Sequence, residues 1–152
     1  MTFTLREMNL LDLPVVVSME RDIYRNDAWS VGQFKEELAS VPKNRLYLVA
    51  LDDVKKVIGY AGVFAPSEGM DAEVLTLTVS EEFRRKGIGR SLLRKLIAWS
   101  LERKSPSIFL EVREGNDEAS PLYLSEGFEP ISHRNNYYSA GVRAVVMKKD
   151  LL

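Results

Sequence analysis

The chain has 152 residues, 45% of them hydrophobic and 28% charged, which is ordinary globular composition at the length of one domain, residues 1–152, with room for a proper core. Its net charge of −1 argues against a general affinity for nucleic acid. The absence of cysteine excludes a disulfide scaffold, a thiolate zinc site and a cysteine nucleophile, and a lone histidine, His133, gives no ground for an imidazole metal site or a Ser-His-Asp triad, so no metal is expected.

The opening residues, Met1-Thr2-Phe3-Thr4-Leu5-Arg6, have no signal-like apolar stretch, and no apolar run approaches membrane-spanning length. A cytoplasmic protein without a membrane partner is expected. Residues 2–6 alternate and predict a first strand. Asp12 stands where a helix cap belongs, Pro14 is tolerated in the first turn, and Leu13, Val16, Val17, Glu20 and Ile23 continue the helix. Residues 24–29 carry no strong periodicity and read as a connection. Ser30-Val31-Gly32-Gln33 forms a capping box, with Trp29 and Phe34 placed as a hydrophobic staple. A second short helix therefore runs from Ser30 to the neighbourhood of Leu38. After a loop at 42–44, strands are predicted at 46–51 and 57–64, joined by a hairpin loop at 52–56. Pro66-Ser67-Glu68-Gly69 then turns the chain.

Residues 73–79 are β-branched and apolar and predict the central strand. Arg84-Arg85-Lys86-Gly87-Ile88-Gly89-Arg90 follows as a basic, glycine-punctuated turn. Beyond it Ile88, Leu92, Leu93, Leu96, Ile97, Trp99 and Ser100 share one broad helical face. A glycine turn opening a helix leaves backbone N–H groups pointing outward, and the helix dipole and the cationic side chains add positive potential there. The turn suits a phosphate or pyrophosphate; a solvated basic loop is the alternative that the residues alone leave open. It is not a P-loop, since no G-K-S/T is present, and Gly87-x-Gly89-x-x-Leu92 lacks the third glycine of the dinucleotide fingerprint.

Ser105-Pro106 resets the chain before a strand at 107–112 that contains Glu111. Asn116 begins a short helix reaching Leu124, with Gly127 as its stop, and Pro121 makes that helix start late or kink. Strands at 128–134 and 144–149 close the chain. The helices cannot all share one side of the sheet, so the expected fold is α/β (α+β), a mixed central sheet of about seven strands with helices on both faces.

This order, with Arg84-x-x-Gly87-x-Gly89 at the strand-to-helix turn, resembles the GCN5-related N-acetyltransferases and their GNAT fold. Leu110-Glu111-Val112-Arg113, then Asn116, Ala119, Leu122-Tyr123 and Gly127-Phe128, is similar to the second half of that family. Those residues, with Arg134-Asn135-Asn136-Tyr137-Tyr138 and with Trp29-Ser30 followed by Phe34 and Glu37-Leu38, resemble the bacterial ribosomal-protein-alanine N-acetyltransferase (RimI-type) subgroup. The resemblance covers nearly the whole chain. It departs at Glu81, where proline is frequent, at Thr78, in place of a common alanine, and at Arg143, where an acidic residue is frequent. The cofactor site is mostly backbone and is left in place; Arg143 bears on the choice of acceptor.

The resemblance implies acetyl transfer from acetyl-CoA, the co-substrate, to the N-terminal α-amino group of a protein, a small-subunit ribosomal protein starting with alanine. An α-amino group, with a pKa of about 7.7–8.0, is far easier to deprotonate than lysine at about 10.4. The resemblance makes Glu111 the general base, acting through a water, and Tyr123 the acid for the departing thiolate. It assigns the coenzyme to Leu77, Thr78 and Val79, to Arg84, Arg85, Lys86, Gly87, Ile88, Gly89 and Arg90 in the turn, and to Asn116 and Tyr123. It assigns the acceptor to Trp29, Arg134, Tyr137 and Tyr138. Read without it, Glu111 is a rim carboxylate paired with a cation such as Arg113, with Glu73 as the other candidate base. Likewise Tyr123 is a packing residue, Asn116 a helix cap, Tyr137 and Tyr138 strand-edge aromatics, and His133 an ordinary strand residue. A monomer or weak dimer is expected. The competing functions are acetylation of a small amine or lysine on the same fold, and a non-catalytic module that holds coenzyme A or another anion.

Overall fold

Seven strands form one mixed sheet in the computed structural model, which describes residues 2–113, 120–134 and 143–152. They are β1 (Thr4–Glu7), β2 (Arg45–Leu51), β3 (Val57–Phe64), β4 (Ala72–Val79), β5 (Ser107–Arg113), β6 (Glu129–Arg134) and β7 (Ala144–Asp150), in the order β1-β2-β3-β4-β5-β7-β6. Every neighbouring pair is antiparallel except β4 with β5.

Helices α1 (Leu13–Tyr24) and α2 (Val31–Ala39) cover one face, and α3 (Ile88–Glu102) covers the other. Alternation along β2 serves both. Tyr47, Val49 and Leu51 join Leu13, Val16, Val17 and Phe34 in one core, while Leu48 and Ala50 face Ile88, Leu92, Leu93 and Leu96 in the second. Both faces of the central strands are therefore apolar, as a sheet sandwiched between helices requires.

Local signals were realised where they are self-contained. Ser30 caps α2 as expected: its Oγ accepts the Gln33 N–H at 3.2 Å, and Gln33 Oε1 accepts the Ser30 N–H at 2.7 Å. Trp29 and Phe34 pack with ring centroids 5.2 Å apart. The start of α1 differs from its prediction. Asn9 caps a 3₁₀ turn at Leu10–Asp12, its Oδ1 accepting the Leu11 N–H, and Asp12 makes no side-chain cap to α1. Its carboxylate turns back to accept the Asn9 N–H and both terminal nitrogens of Arg6, each at 2.8 Å. A bidentate guanidinium outcompetes a single N–H. The connection after α1 contains a 3₁₀ turn, Arg25–Asp27, and another, Glu81–Phe83, follows β4. Helix α4 (Ser120–Ser125) carries Pro121 in its first turn; its expected beginning at Asn116 lies outside the described residues.

The feature that makes a site is the parting of β4 from β5. They pair only at Ala72↔Ile108 and Glu73↔Phe109. Beyond that, β4 stays with β3 as far as Gly59↔Val79, and β5 stays with β7 as far as Arg113↔Ala144. On β4 the register to β3 slips between Val74 and Thr76, which leaves Leu75 as an extra residue. A bulge bends its strand and increases its twist, and this one falls where β4 leaves its parallel neighbour. The facing edges of β4 and β5 are thereby opened in the middle of a sheet.

Candidate active site

The first half of the site is the start of α3. Gly87 is its N-cap, with φ +84°, a left-handed conformation that glycine adopts without steric cost. The first helical bond runs from the Ser91 N–H to the Gly87 carbonyl at 3.0 Å, so the N–H groups of Ile88, Gly89 and Arg90 precede the ladder. No acidic residue lies in the first turn. A Cβ added at Gly89 would sit 3.4 Å from Leu122 and 3.7 Å from Val79, in ordinary contact. Packing of the protein alone therefore does not demand glycine there.

A cavity of about 670 Å³ runs from this turn along β4. Leu77, Thr78, Val79, Arg84, Arg85, Gly87, Gly89 and Arg90 line one wall, and Pro121, Leu122 and Tyr123 of α4 line the other. Its described lining contains three arginines and no carboxylate. Arg84 donates through Nε to the Val79 carbonyl at 3.1 Å, which braces the turn against β4. Arg90 pairs with Glu126, and Arg94 donates to the same carboxylate at 2.9 Å. Hydrogen bonding from Arg94, followed by that from Arg90, holds the Glu126 carboxyl below the usual range. The Arg90 side chain thus ties α3 to the end of α4, while its backbone stays in the turn. Ile88 is buried in the core and offers the site only its N–H, and Lys86 is exposed.

The second half is a cavity of about 430 Å³ between the parted strands. β4 contributes residues 73–77, β5 contributes residues 110–113, and α1 and the loop after it contribute Glu20, Tyr24, Asp27 and Trp29. The described lining has four carboxylates, Glu20, Asp27, Glu73 and Glu111, against one guanidinium, Arg113. Arg113 Nη2 lies 2.8 Å from Asp27 Oδ2, joining the end of β5 to the loop after α1. Glu111 is half-buried, opposite Val146 of β7, and Glu73 is exposed. Trp29 lines this cavity.

The two cavities share Tyr24, Leu77 and Tyr123. Tyr123 is 8% exposed, on α4, with its ring centroid 6.1 Å from that of Phe128. Of the expected acceptor residues, Arg134 ends β6 opposite Ala144, while Tyr137, Tyr138 and the coenzyme candidate Asn116 lie outside the described residues. His133 is exposed on β6.

Among the lining residues absent from the expected site are Glu20, Tyr24 and Asp27. Glu20 was read only as a member of a helix. It is buried, and its carboxylate accepts the Trp29 N–H at 2.9 Å and the Tyr60 hydroxyl at 2.7 Å, while burial raises its pKa above the usual carboxylate value. Tyr24, one turn on, shares a 2.7 Å hydrogen bond with Thr78 Oγ1, and burial raises its phenol pKa. A glutamate at a core position of an otherwise apolar helical face was the available signal. The partners Tyr60 and Thr78 were not, being 40 and 54 residues away.

A basic cavity at a glycine-capped helix start, meeting an acidic one where two parallel strands part, is suited to transferring a group from an anionic carrier to a cationic acceptor. The chain belongs to the Acetyltransferase (GNAT) family, whose sequence model matches residues 5–128, and it is an acetyl-CoA-dependent N-acetyltransferase. Among its relatives is the N-alpha-acetyltransferase RimI of Mycobacterium tuberculosis, 35% identical over 128 residues, which are 82% of this chain and 77% of that one. In structure it is similar to the ribosomal-protein-S18-alanine N-acetyltransferase of Escherichia coli, with a TM-score of 0.81 and 26% identity over 98% of this chain and 94% of that one. It is also similar to Ard1 of Thermoplasma volcanium, with a TM-score of 0.88 and 26% identity over 100% and 99% of the two chains. Among the described residues no helix is long and apolar enough to cross a membrane.

Proposed function

We propose that this cytoplasmic enzyme acetylates the N-terminal α-amino group of a small-subunit ribosomal protein whose chain starts with alanine. The observation that carries the reading is the segregation of charge between two cavities that meet at Tyr24, Leu77 and Tyr123. The pyrophosphate of acetyl-CoA suits the basic cavity and the open N–H groups of 88–90. An α-ammonium group suits the cavity that holds Glu20, Glu73 and Glu111. The RimI relatives support the choice of a protein N-terminus, and the ribosomal-protein name of the Escherichia coli enzyme supports the substrate class.

In this reading Glu111 takes a proton from the ammonium group through water. The neutral nitrogen attacks the thioester carbonyl, a C–N bond forms, the C–S bond breaks, Tyr123 gives its proton to the leaving sulfur, and the proton the nitrogen sheds on becoming an amide passes through water to restore the Tyr123 hydroxyl. A phenol, protonated at neutral pH, suits that task. Leu77 and Val79 can supply backbone groups because β4 has no partner strand on its β5 side beyond Glu73. The whole chain acts as one catalytic domain. The test is thiol release from acetyl-CoA with a panel of peptides that differ in their first residue. Release that is greatest with alanine first supports the reading. Release with a small amine or lysine and with no peptide N-terminus replaces it, and acetyl-CoA binding without release leaves a module that does not turn over.

A further inference from the structure

Glu20 is the buried carboxylate of the acceptor cavity for which the proposed acid–base chemistry has no use. It follows Leu13, Val16 and Val17 on the buried face of α1, where an apolar side chain is the default. A carboxylate there is unfavourable unless its lone pairs are used. Both oxygens are: Oε2 accepts the Trp29 N–H and Oε1 accepts the Tyr60 hydroxyl. These partners differ in kind. Tyr60 stands in the middle of β3, fully buried. Trp29 belongs to the short segment between α1 and α2 that, with Asp27, forms one wall of the acceptor cavity. Glu20 is therefore the link between that wall and the sheet.

We propose that Glu20 is a positioning residue for the acceptor, acting through the backbone of Trp29 to set the wall against which the acceptor lies. This rests on the reading of the cavity as the acceptor site. It makes α1 part of substrate selection, a role separate from those of Glu111 and Tyr123.

The test is steady-state kinetics on the whole chain. Glu20→Met keeps most of the volume but carries no carboxylate, so the Trp29 N–H and the Tyr60 hydroxyl both lose their acceptor. The acceptor KM should rise about tenfold or more with kcat within about threefold of wild type, the pattern of lost ground-state binding, and acetyl-CoA affinity should not change. Tyr60→Phe leaves the Trp29 bond intact but unfastens Glu20 from β3, and should raise the acceptor KM less than Glu20→Met does, again with acetyl-CoA affinity unchanged. A second pair reaches the same bond from the other side. Trp29→Ala and Trp29→Pro both lose the ring, but only the proline loses the N–H, and the extended Ala28 before it (φ −66°, ψ 140°) accommodates a proline. The proline variant should have the higher acceptor KM. An unchanged acceptor KM in Glu20→Met, an equal loss of acetyl-CoA affinity, or equal values for the proline and alanine variants would overturn the proposal. Should the wild type acetylate no peptide N-terminus, the functional reading fails by itself. The same selective rise is then required on the amine it does acetylate.

Discussion

Gly87 and Gly69 form a matched pair that separates the binding role proposed for the turn before α3 from the stability of the fold. Both have φ +84°, and a Cβ at either would meet nothing within 4 Å. Valine at these positions suffers from backbone conformation alone, at a cost of roughly 1–2 kcal/mol or more for a β-branched residue. The two glycines differ in place. Gly69 precedes β4, its N–H bonded to the Arg103 carbonyl at 2.8 Å, and Gly87 caps α3 at the far end, on the lining of the basic cavity. Relief of strain at Gly87 rotates the turn and turns N–H groups of 88–90 away from the cavity. A hydrogen bond to a charged group contributes about 1.5–3 kcal/mol, so one lost donor weakens acetyl-CoA binding about 10- to 150-fold. Thermal unfolding should show similar losses for Gly87→Val and Gly69→Val, and calorimetry should show weakened acetyl-CoA binding for Gly87→Val alone. Equal affinity in both folded variants would refute the assignment of the turn to phosphate.

Tyr123→Phe keeps the ring and its packing on Phe128 and removes only the hydroxyl. Turnover should fall by about 10²–10⁴-fold with acetyl-CoA affinity intact, as read by thiol release and calorimetry on one preparation. Glu111→Gln should lower turnover near neutral pH and recover part of it at higher pH, where more of the acceptor amine is already neutral; a pH–rate profile parallel to wild type would move the base to Glu73 or to water. Asp12 is held below the usual carboxylate range, first by its hydrogen bonds from Arg6. A depressed folded pKa stabilises above the unfolded value of 3.8 and is lost as pH falls through the folded one. Asp12→Ala should thus cost about 1–3 kcal/mol in urea unfolding at neutral pH, with the gap to wild type closing below pH 3.8.

What the sequence disclosed depended on the range of the forces involved. The Ser30–Gln33 box, the hairpin between β2 and β3 and the glycine turn before α3 are settled by residues within a few positions of one another, and each was legible. Asp12 was not, because Arg6 in β1 drew its carboxylate away from the helix start it was expected to cap. The opening between β4 and β5 falls at the bulge at Leu75, which is a matter of register with β3. The wall formed by α1 and the loop after it was the least legible part of the site. Glu20 needs Tyr60, Tyr24 needs Thr78, and Asp27 meets Arg113 from 86 residues away. Thr78, which departs from the family's common alanine, is the partner of the Tyr24 hydroxyl and so belongs to the junction of the two cavities.

The central claim is that the acidic cavity delivers an N-terminal amine to acetyl-CoA. It is tested most directly with one alanine-initiated peptide that also carries an internal lysine, incubated with enzyme and acetyl-CoA and sequenced by tandem mass spectrometry. The account predicts acetyl on the α-nitrogen of the first alanine and none on the lysine. Acetyl on the lysine alone, or an unmodified peptide with acetyl-CoA bound, would contradict it.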